Sequence, residues 1–454
     1  MLKFLRDWAV GCGVPRPTNF VYPGTRQKFS VRWPENPADT NTADMLVSDW
    51  PNAVAHVDAD CFYASCERAR RPELRGVPVC VLSSQNAIVV AKTYDAKAAG
   101  ITTGMPVWEA RKLLPHAEYI AADFGYYGRM SDKLFTILHR FSPEVEIYSI
   151  DEGFIGLNGL RGLWRKGFGE IAGAIREQVR SEVGITVSVG VSVTRTLAKI
   201  ASDFHKPDGT TIVPGRKIAD FLPHLKIKDI PGIGANRQAL LNKFQIFTAA
   251  EYVQASEALI QRLLGKSGVD LWRELRGEPV FALELVPKLP KSVARTASMG
   301  EISACRETLT GHLTHHITRL ATELLRKRLA ASRLTVFLTL KSFDKSGLEI
   351  RLDHPTANYF ALSRAAGEAF ERLFQPGQLY RGCGVVASDI VSAANIERDL
   401  FGVVDTDERQ GRLLETMDAI NRKFGNGTMR MLAAVPTRRK SREERFQLPL
   451  FEAN

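Results

Sequence analysis

The sequence predicts a multidomain α+β protein. Its 454 residues exceed what a single core usually organises. Between residues 53 and 216, apolar β-branched runs alternate with stretches of helical spacing, which suits an antiparallel sheet backed by helices. From about 217 the pattern turns helical. Beyond a stretch bearing proline and lysine it returns to strands and helices, so a second α+β domain follows the first.

The elements can be taken in order. Residues 1–52, rich in Pro, Asn, Thr and Trp without periodicity, read as an N-terminal extension or poorly ordered arm. AVAHVDAD (53–60) is an apolar strand ending in two acids. VPVCVL (77–82) and AIVVAK (87–92), separated by SSQN, predict a hairpin. GMPVWEARKLL (104–114) and YYGRMSDKLFTILHRF (126–141) have helical spacing, and VEIYSIDEGFIGL (145–157) predicts a hairpin with its acids at the turn. An amphipathic helix over 168–183 precedes the strand ITVSVGVSV (185–193). IKDIPGIGANRQALLNKF (227–244) is the clearest element of the helical region, and LVPKLPKSVART (285–296) reads as a linker. RLTVFLTLKSF (333–343) and YRGCGVVASDIV (380–391) predict strands, with helices over 309–331 and 357–374. The tail from 396 contains the basic run RRKSREER and ends in QLPLFEAN.

Composition narrows the class. Hydrophobic content of 44% and charged content of 24% are those of an ordinary globular protein. There is no apolar run of about 18 residues, so no membrane span is expected. The N-terminus MLKFLRDWAVGCG is interrupted by Arg6 and Asp7 and does not read as a signal peptide. Six cysteines without a CxxC pair argue against a zinc site or a disulfide framework and suit a reducing cytoplasm. A net charge of +11 favours polyanionic partners, nucleic acid first, although a basic protein with no such partner stays open on charge alone.

The acids carry the chemistry. Two-metal phosphoryl transfer needs carboxylates from separate segments brought within about 4 Å of a pair of metal ions. Asp58 closes a strand, and Asp151 and Glu152 sit at the tip of a hairpin. Neighbouring residues on a strand face opposite ways, so a turn or bulge must bring both acids to one site. Hard oxygen ligands suit Mg2+. Taken singly, each acid also reads as a turn residue or helix cap.

Three blocks together are specific. VDADCFYASCE (57–67), IYSIDEGF (147–154) and VSVGVSVTRTLAKIASDFHKPDG (187–209) resemble the Y-family DNA polymerases, the DinB/UmuC group, in letters, order and separation. The resemblance covers about residues 53 to 435. RPELRGVPVCVLS, SPEVEIYSIDE, TRTLAK and NRKFGNGTMR look more like the UmuC branch, whereas HVDADCFYAS and HKPDG suit either branch.

The resemblance implies a right-hand polymerase: palm over 53–69 and 124–216, fingers over 70–123, thumb over 217–285, a linker over 286–300, a little finger over 301–395 and a tail over 396–454. It implies low-fidelity translesion synthesis with two Mg2+ ions, acting on primer-template DNA and dNTPs in the cytoplasm. Small accessory proteins accompany the UmuC branch. Asp58, Asp151 and Glu152 fall on the metal ligands, and the backbone carbonyl of Ala59 on a further ligand position. Tyr63 falls on the steric gate beneath the incoming sugar; read without the resemblance, it is a core tyrosine at a helix start. Tyr94 and Lys206 fall on groups that hold the triphosphate. Lys97 stands where many relatives carry arginine, which keeps the charge and loses the planar fork. Asp60 is not expected to be a ligand.

Outside the palm, Gly232 and Gly234 of PGIGANRQALLNKF form a glycine turn entering a helix, an arrangement that binds phosphate through backbone N–H groups. By resemblance this is the thumb's helix-hairpin-helix. Residues 286–395 carry 15 Lys/Arg against 9 Asp/Glu. Arg295, Arg333, Lys341, Lys345 and Arg351 there are expected to meet DNA, the alternative being a solvated strand face. At the C-terminus, Gln447, Leu448, Leu450 and Phe451 resemble the sliding-clamp peptide of bacterial polymerases, with Pro449 between them; an ordinary tail is the alternative. Two other classes stay open at this level. A nucleotide cyclase or another palm-fold two-metal enzyme would share the acids. A non-catalytic DNA-binding accessory protein would be expected to lose some of them.

Overall fold

The computed structural model describes residues 49–83, 86–286, 288–396, 403–425 and 427–437. The clamp-like peptide at 447–451, the basic run before it and residues 1–48 lie outside the described residues. The chain divides into two units, one ending at Val286 and the other beginning at Pro287. Among the described residues no helix is long and apolar enough to cross a membrane.

The first unit is built on a five-stranded sheet of order β5-β6-β1-β7-β8. Its strands are β1 (Val54–Ala59), β5 (Val145–Ile147), β6 (Glu152–Gly156), β7 (Val187–Ser192) and β8 (Thr210–Val213). Helices α1 (Phe62–Arg70), α4 (Phe124–Phe141), the short α5 (Leu160–Trp164) and α6 (Phe168–Val183) contribute to its core. β1 lies mid-sheet, antiparallel to both β6 and β7. β7 and β8 run parallel, a departure from the all-antiparallel expectation. The reason is α7 (Arg195–Phe204), which crosses over between them as a parallel connection requires. α7 packs so closely on β7 that a Cβ on Gly190 would meet the Ala198 carbonyl.

A separate three-stranded sheet, β3-β2-β4, is formed by β2 (Val79–Leu82), β3 (Val89–Lys92) and β4 (Glu118–Ala121), with α2 (Tyr94–Ala98) and α3 (Val107–Leu113) beside it. Here the expected hairpin pairs antiparallel as β2 with β3. A helical region follows: α8 (Ala235–Lys243), α9 (Ala249–Gln254), α10 (Glu257–Leu264) and α11 (Lys266–Leu275). Residues 49–52 belong to the body rather than to an arm. Trp50 meets Phe168 edge-on at 4.5 Å, and the Asn52 side-chain amide donates to the Val193 carbonyl at 3.1 Å.

The second unit is an antiparallel sheet of order β11-β10-β12-β9, made of β9 (Ser292–Ser303), β10 (Leu329–Leu340), β11 (Lys345–Thr356) and β12 (Tyr380–Ser392). Helices α12 (Arg306–Arg326) and α13 (Tyr359–Leu373) share its core. Two boundaries shift from expectation. β9 begins at Ser292, inside the stretch read as linker, because SVARTASMG pairs with β12. Part of the tail is a long helix, α14 (Val403–Phe424), whose Leu414 and Met417 join the core.

Candidate active site

The centre of the first sheet assembles the acids. In the β1–β6 register Asp58 stands directly opposite Glu152, so both side chains leave the same face. Asp151 precedes β6 in the turn, and its carbonyl accepts from the Ala59 N–H at 2.9 Å, which ties the two acid-bearing segments together. Asp151 is turned toward Ser149, whose hydroxyl donates to Oδ1 at 2.5 Å. The ligand atoms of His56, Asp58 and Glu152 all lie within 4.8 Å of one another. Asp151 is not one of that three. Ala59 ends β1 and is itself buried.

The electrostatics are those of acids taken out of water. Burial pushes the Asp58 carboxyl up to about 7 against the pull of Lys206. Asp151 is also raised, first by burial and then by Glu152, while Ser149 and Lys206 oppose. Glu152 goes the other way: burial would raise it, but His56 and the Lys199 ammonium beside it hold it below the usual carboxylate range.

Four neighbours, His56, Lys199, Ser202 and Asp203, were not read from the sequence, whereas Lys206 was. His56, two residues before Asp58 on the same strand face, is fully buried, and burial pushes its imidazole down to about 4. Its Nε2 lies 3.1 Å from Glu152 and its Nδ1 2.7 Å from the Ser202 hydroxyl. Lys199 is ion-paired to Glu152, and Lys206 meets Asp58 at 2.7 Å and Asp203 at 2.6 Å. Burial would lower Lys206, but the two acids outweigh it and hold the ammonium charged. Lys199, Ser202, Asp203 and Lys206 are spaced i, i+3, i+4 and i+7. That polar stripe running off an apolar helix was the available signal.

The predicted nucleotide contacts surround this centre. Tyr63, on α1, stacks on Tyr127 at 4.6 Å and meets Phe124 edge-on at 5.7 Å, so its half-buried ring is fixed in plane. Burial and then Asp151 push its hydroxyl up to about 12. Tyr94, the first residue of α2, has its hydroxyl 3.5 Å from Asp60 Oδ1. Lys97 is exposed, with its ammonium 6.0 Å from the Tyr94 ring centroid.

The structure supports a metal fit through its donor set. Hard carboxylate oxygens of Asp58 and Glu152 converge on one face beside a buried imidazole nitrogen within 4.8 Å of both, the kind of donor set a divalent cation takes.

Farther out, Gly232 has φ +91°, a left-handed conformation that only glycine adopts freely. Gly234 caps α8 without a side chain to occupy its first N–H groups, and Arg237 donates to the Gly232 carbonyl at 3.0 Å. In the second unit Arg295 is partly covered. It shares the parity of Val293 and Met299, which are core residues, and pairs with Glu323 of α12 at 3.1 Å on the covered face. Arg333 is on the opposite face but is engaged by Glu349 at 3.2 Å and Asp389 at 2.8 Å. Lys341, just after β10, Lys345 and Arg351 are exposed.

Residues 57–203 match the impB/mucB/samB family, and residues 290–400 match the C-terminal domain of that family. The chain is 32% identical over 378 residues to DNA polymerase IV of Moorella thermoacetica, covering 81% of this chain and 92% of that one. It is 30% identical over 410 residues to DNA polymerase IV 2 of Mesorhizobium japonicum, covering 84% and 95%. Protein ImpB of Salmonella typhimurium is 29% identical over 383 residues, covering 81% and 90%. Among solved structures, a Y-family DNA polymerase chimera of Dbh and Dpo4 superposes with TM-score 0.63 at 24% identity, over 75% of this chain and 99% of that one. An insertion ternary complex of Dbh DNA polymerase superposes with TM-score 0.55 at 23% identity, over the same shares.

Proposed function

The chain belongs to the impB/mucB/samB family, the Y-family DNA polymerases, and from that premise we propose that Asp58, Asp151 and Glu152 add dNTPs to a primer 3′-end. It is a DNA-directed DNA polymerase of the translesion type. The observation that carries the site assignment is the convergence of Asp58 and Glu152 on one sheet face, with Asp151 in the adjoining turn.

Divalent-metal dependence goes with the family, and two Mg2+ ions suit this donor set. When bound, they supply activation of the 3′-hydroxyl and charge stabilisation on the leaving pyrophosphate. Asp58, Glu152 and Asp151 would hold them, with the Ala59 carbonyl as a further oxygen. Asp58, raised by burial, is a carboxyl that a cation would pull back to its ionised form. Lys206 would move its ammonium from Asp58 onto the triphosphate. Tyr94 contributes a hydroxyl there, and exposed Lys97 a single charge. The Tyr63 ring, pinned by Tyr127 and Phe124, would lie under the sugar and exclude a 2′-hydroxyl.

DNA is held without regard to sequence. Gly232, Gly234 and the first turn of α8 would accept phosphate. The open sheet face of the second unit, with Lys341, Lys345 and Arg351, would follow the duplex, whereas Arg295 is committed to Glu323. We assign the C-terminal peptide Gln447, Leu448, Leu450 and Phe451 to a sliding clamp on its sequence alone. The UmuC-like blocks favour small accessory partners, and a DNA substrate favours the cytoplasm.

The test is primer extension by the full-length protein on intact and abasic templates, with and without Mg2+. Metal-dependent addition of the nucleotide that the intact template specifies is expected, together with extension past the abasic site. No extension on either template in the presence of Mg2+ would overturn the assignment.

A further inference from the structure

Asp60 stands two residues beyond Asp58, yet its carboxylate is used for something other than metal. It is 2% exposed, and both oxygens are engaged. Oδ1 accepts from the Ser188 hydroxyl at 2.8 Å and from the Tyr94 hydroxyl at 3.5 Å. Oδ2 accepts from the Asp208 backbone N–H at 2.8 Å. Asp60 therefore joins four segments: the end of β1, β7 through Ser188, the start of α2 through Tyr94, and the loop that follows α7 and carries Lys206.

Asp208 is held just as firmly from the other side. Its φ is +54°, a left-handed conformation that costs a non-glycine residue roughly 1 kcal/mol. Two arginines of α6 keep it there. Arg176 Nε donates to Oδ1 at 3.2 Å, and a second Arg176 nitrogen donates to the Asp208 carbonyl. Arg180 donates to Oδ2. Arg176 also donates to Thr210 Oγ1 at 3.1 Å. The next residue, Gly209, sits so close to the His205 carbonyl that a Cβ has no room, and its N–H donates to Ser188 Oγ at 3.3 Å. These bonds fix the loop at residues 208 to 210, two to four residues beyond Lys206. None of them is made by Lys206 itself, whose ammonium pairs with Asp58 and Asp203.

We propose that Asp60 and Asp208 are positioning residues: Asp208, clamped by Arg176 and Arg180, presets the loop that carries Lys206, and Asp60 fixes the distance from that loop to Tyr94. The inference rests on the reading of Lys206 and Tyr94 as triphosphate contacts. A lysine side chain loses up to roughly 2 kcal/mol of rotamer freedom when it is ordered, and a rigid base lowers the number of arrangements it must search. The clamp therefore acts on dNTP binding. Loosening it raises KM for the nucleotide while kcat, set by the carboxylates, changes little.

The experiment is single-nucleotide incorporation by the full-length protein carrying Asp208→Asn, Lys206→Ala or both, with Asp60→Asn and Arg176→Gln alongside. Melting temperature and primer-template affinity are measured on each variant. Asp208→Asn keeps the side-chain shape and loses the charge that both arginines need. It is expected to raise KM for dNTP about tenfold, the loss that one hydrogen bond to a charged group brings. Asp60→Asn and Arg176→Gln are expected to do the same, with DNA affinity unchanged. In the Lys206→Ala background Asp208→Asn is expected to add less than about twofold, since the group through which it acts is gone. A purely structural role would lower stability and DNA affinity together and would add in full to Lys206→Ala. That additivity, or an unchanged KM for both Asp208→Asn and Arg176→Gln, overturns the proposal. An unchanged KM for Lys206→Ala alone shows instead that Lys206 is not a triphosphate contact, and the clamp then has nothing to position.

Discussion

Replacing Asp58 by Asn should stabilise the metal-free protein while abolishing its activity. The Asp58 side chain is 17% exposed, and burial pushes its carboxyl up to about 7 from the ordinary 3.8. An acid whose folded-state pKa lies above its unfolded value binds more protons when folded, so it costs stability as pH rises from 3.8 through about 7 and at full strength above that. The difference is worth about 4 kcal/mol. The figure already includes the attraction of Lys206, since that ammonium is charged across the whole range. Asn mimics the protonated acid. At pH 8 without metal, Asp58→Asn should therefore melt higher than the parent by on the order of 10 °C. At pH 4 the two should coincide. Adding Mg2+ at pH 8 should raise the parent and leave the variant where it was, because a ligand stabilises only the state that binds it. Melting curves at the two pH values, with and without Mg2+, read all of this. A variant no more stable than the parent at pH 8 without metal would refute the reasoning.

Three further outcomes follow from the same geometry. Tyr63→Ala should admit ribonucleotides and keep deoxynucleotide incorporation; unchanged sugar discrimination in competition assays would make Tyr63 a packing residue on Tyr127 and nothing more. Lys199→Ala removes the ammonium that competes with a cation for Glu152, so the Mg2+ concentration at half-maximal rate should fall. An unshifted midpoint would show that Lys199 does not tune the site. Deleting residues 447–451 should leave clamp-free extension unchanged and remove the stimulation by loaded clamp, measured as product length on a primed circular template. Equal stimulation of both proteins would return that peptide to an ordinary tail.

The sheet that carries the acids was legible because its strands are β-branched runs ended by turn residues. The Asp58–Glu152 convergence followed once the 145–157 hairpin had been recognised. Harder to read were features fixed by partners distant in sequence. Alternation along SVARTASMG shows two faces but not which one a helix covers, so Arg295 looked available although Glu323 of α12 claims it. The same segment follows two prolines and two lysines, which masked a strand whose pairing partner lies some 90 residues later. Leu414 and Met417 are three residues apart, a helical spacing, but nothing local says that a second core lies waiting for them. His56 and Lys199 belong to the site through strand parity and helix spacing respectively. Both signals were present, and both needed the position of Glu152 to give them meaning.

The most direct test of the account is single-turnover addition of one dNTP by Asp58→Ala, Asp151→Ala and Glu152→Ala, each saturated with primer-template DNA and Mg2+. If the three carboxylates serve one metal pair, each substitution abolishes nucleotide addition while DNA affinity stays close to that of the parent, and any double substitution costs little more than a single one. Asp151 is the sharpest of the three, because in this structure it faces Ser149 instead of joining the cluster of Asp58 and Glu152. An Asp151→Ala protein that extends the primer at the parent's rate would contradict the central claim.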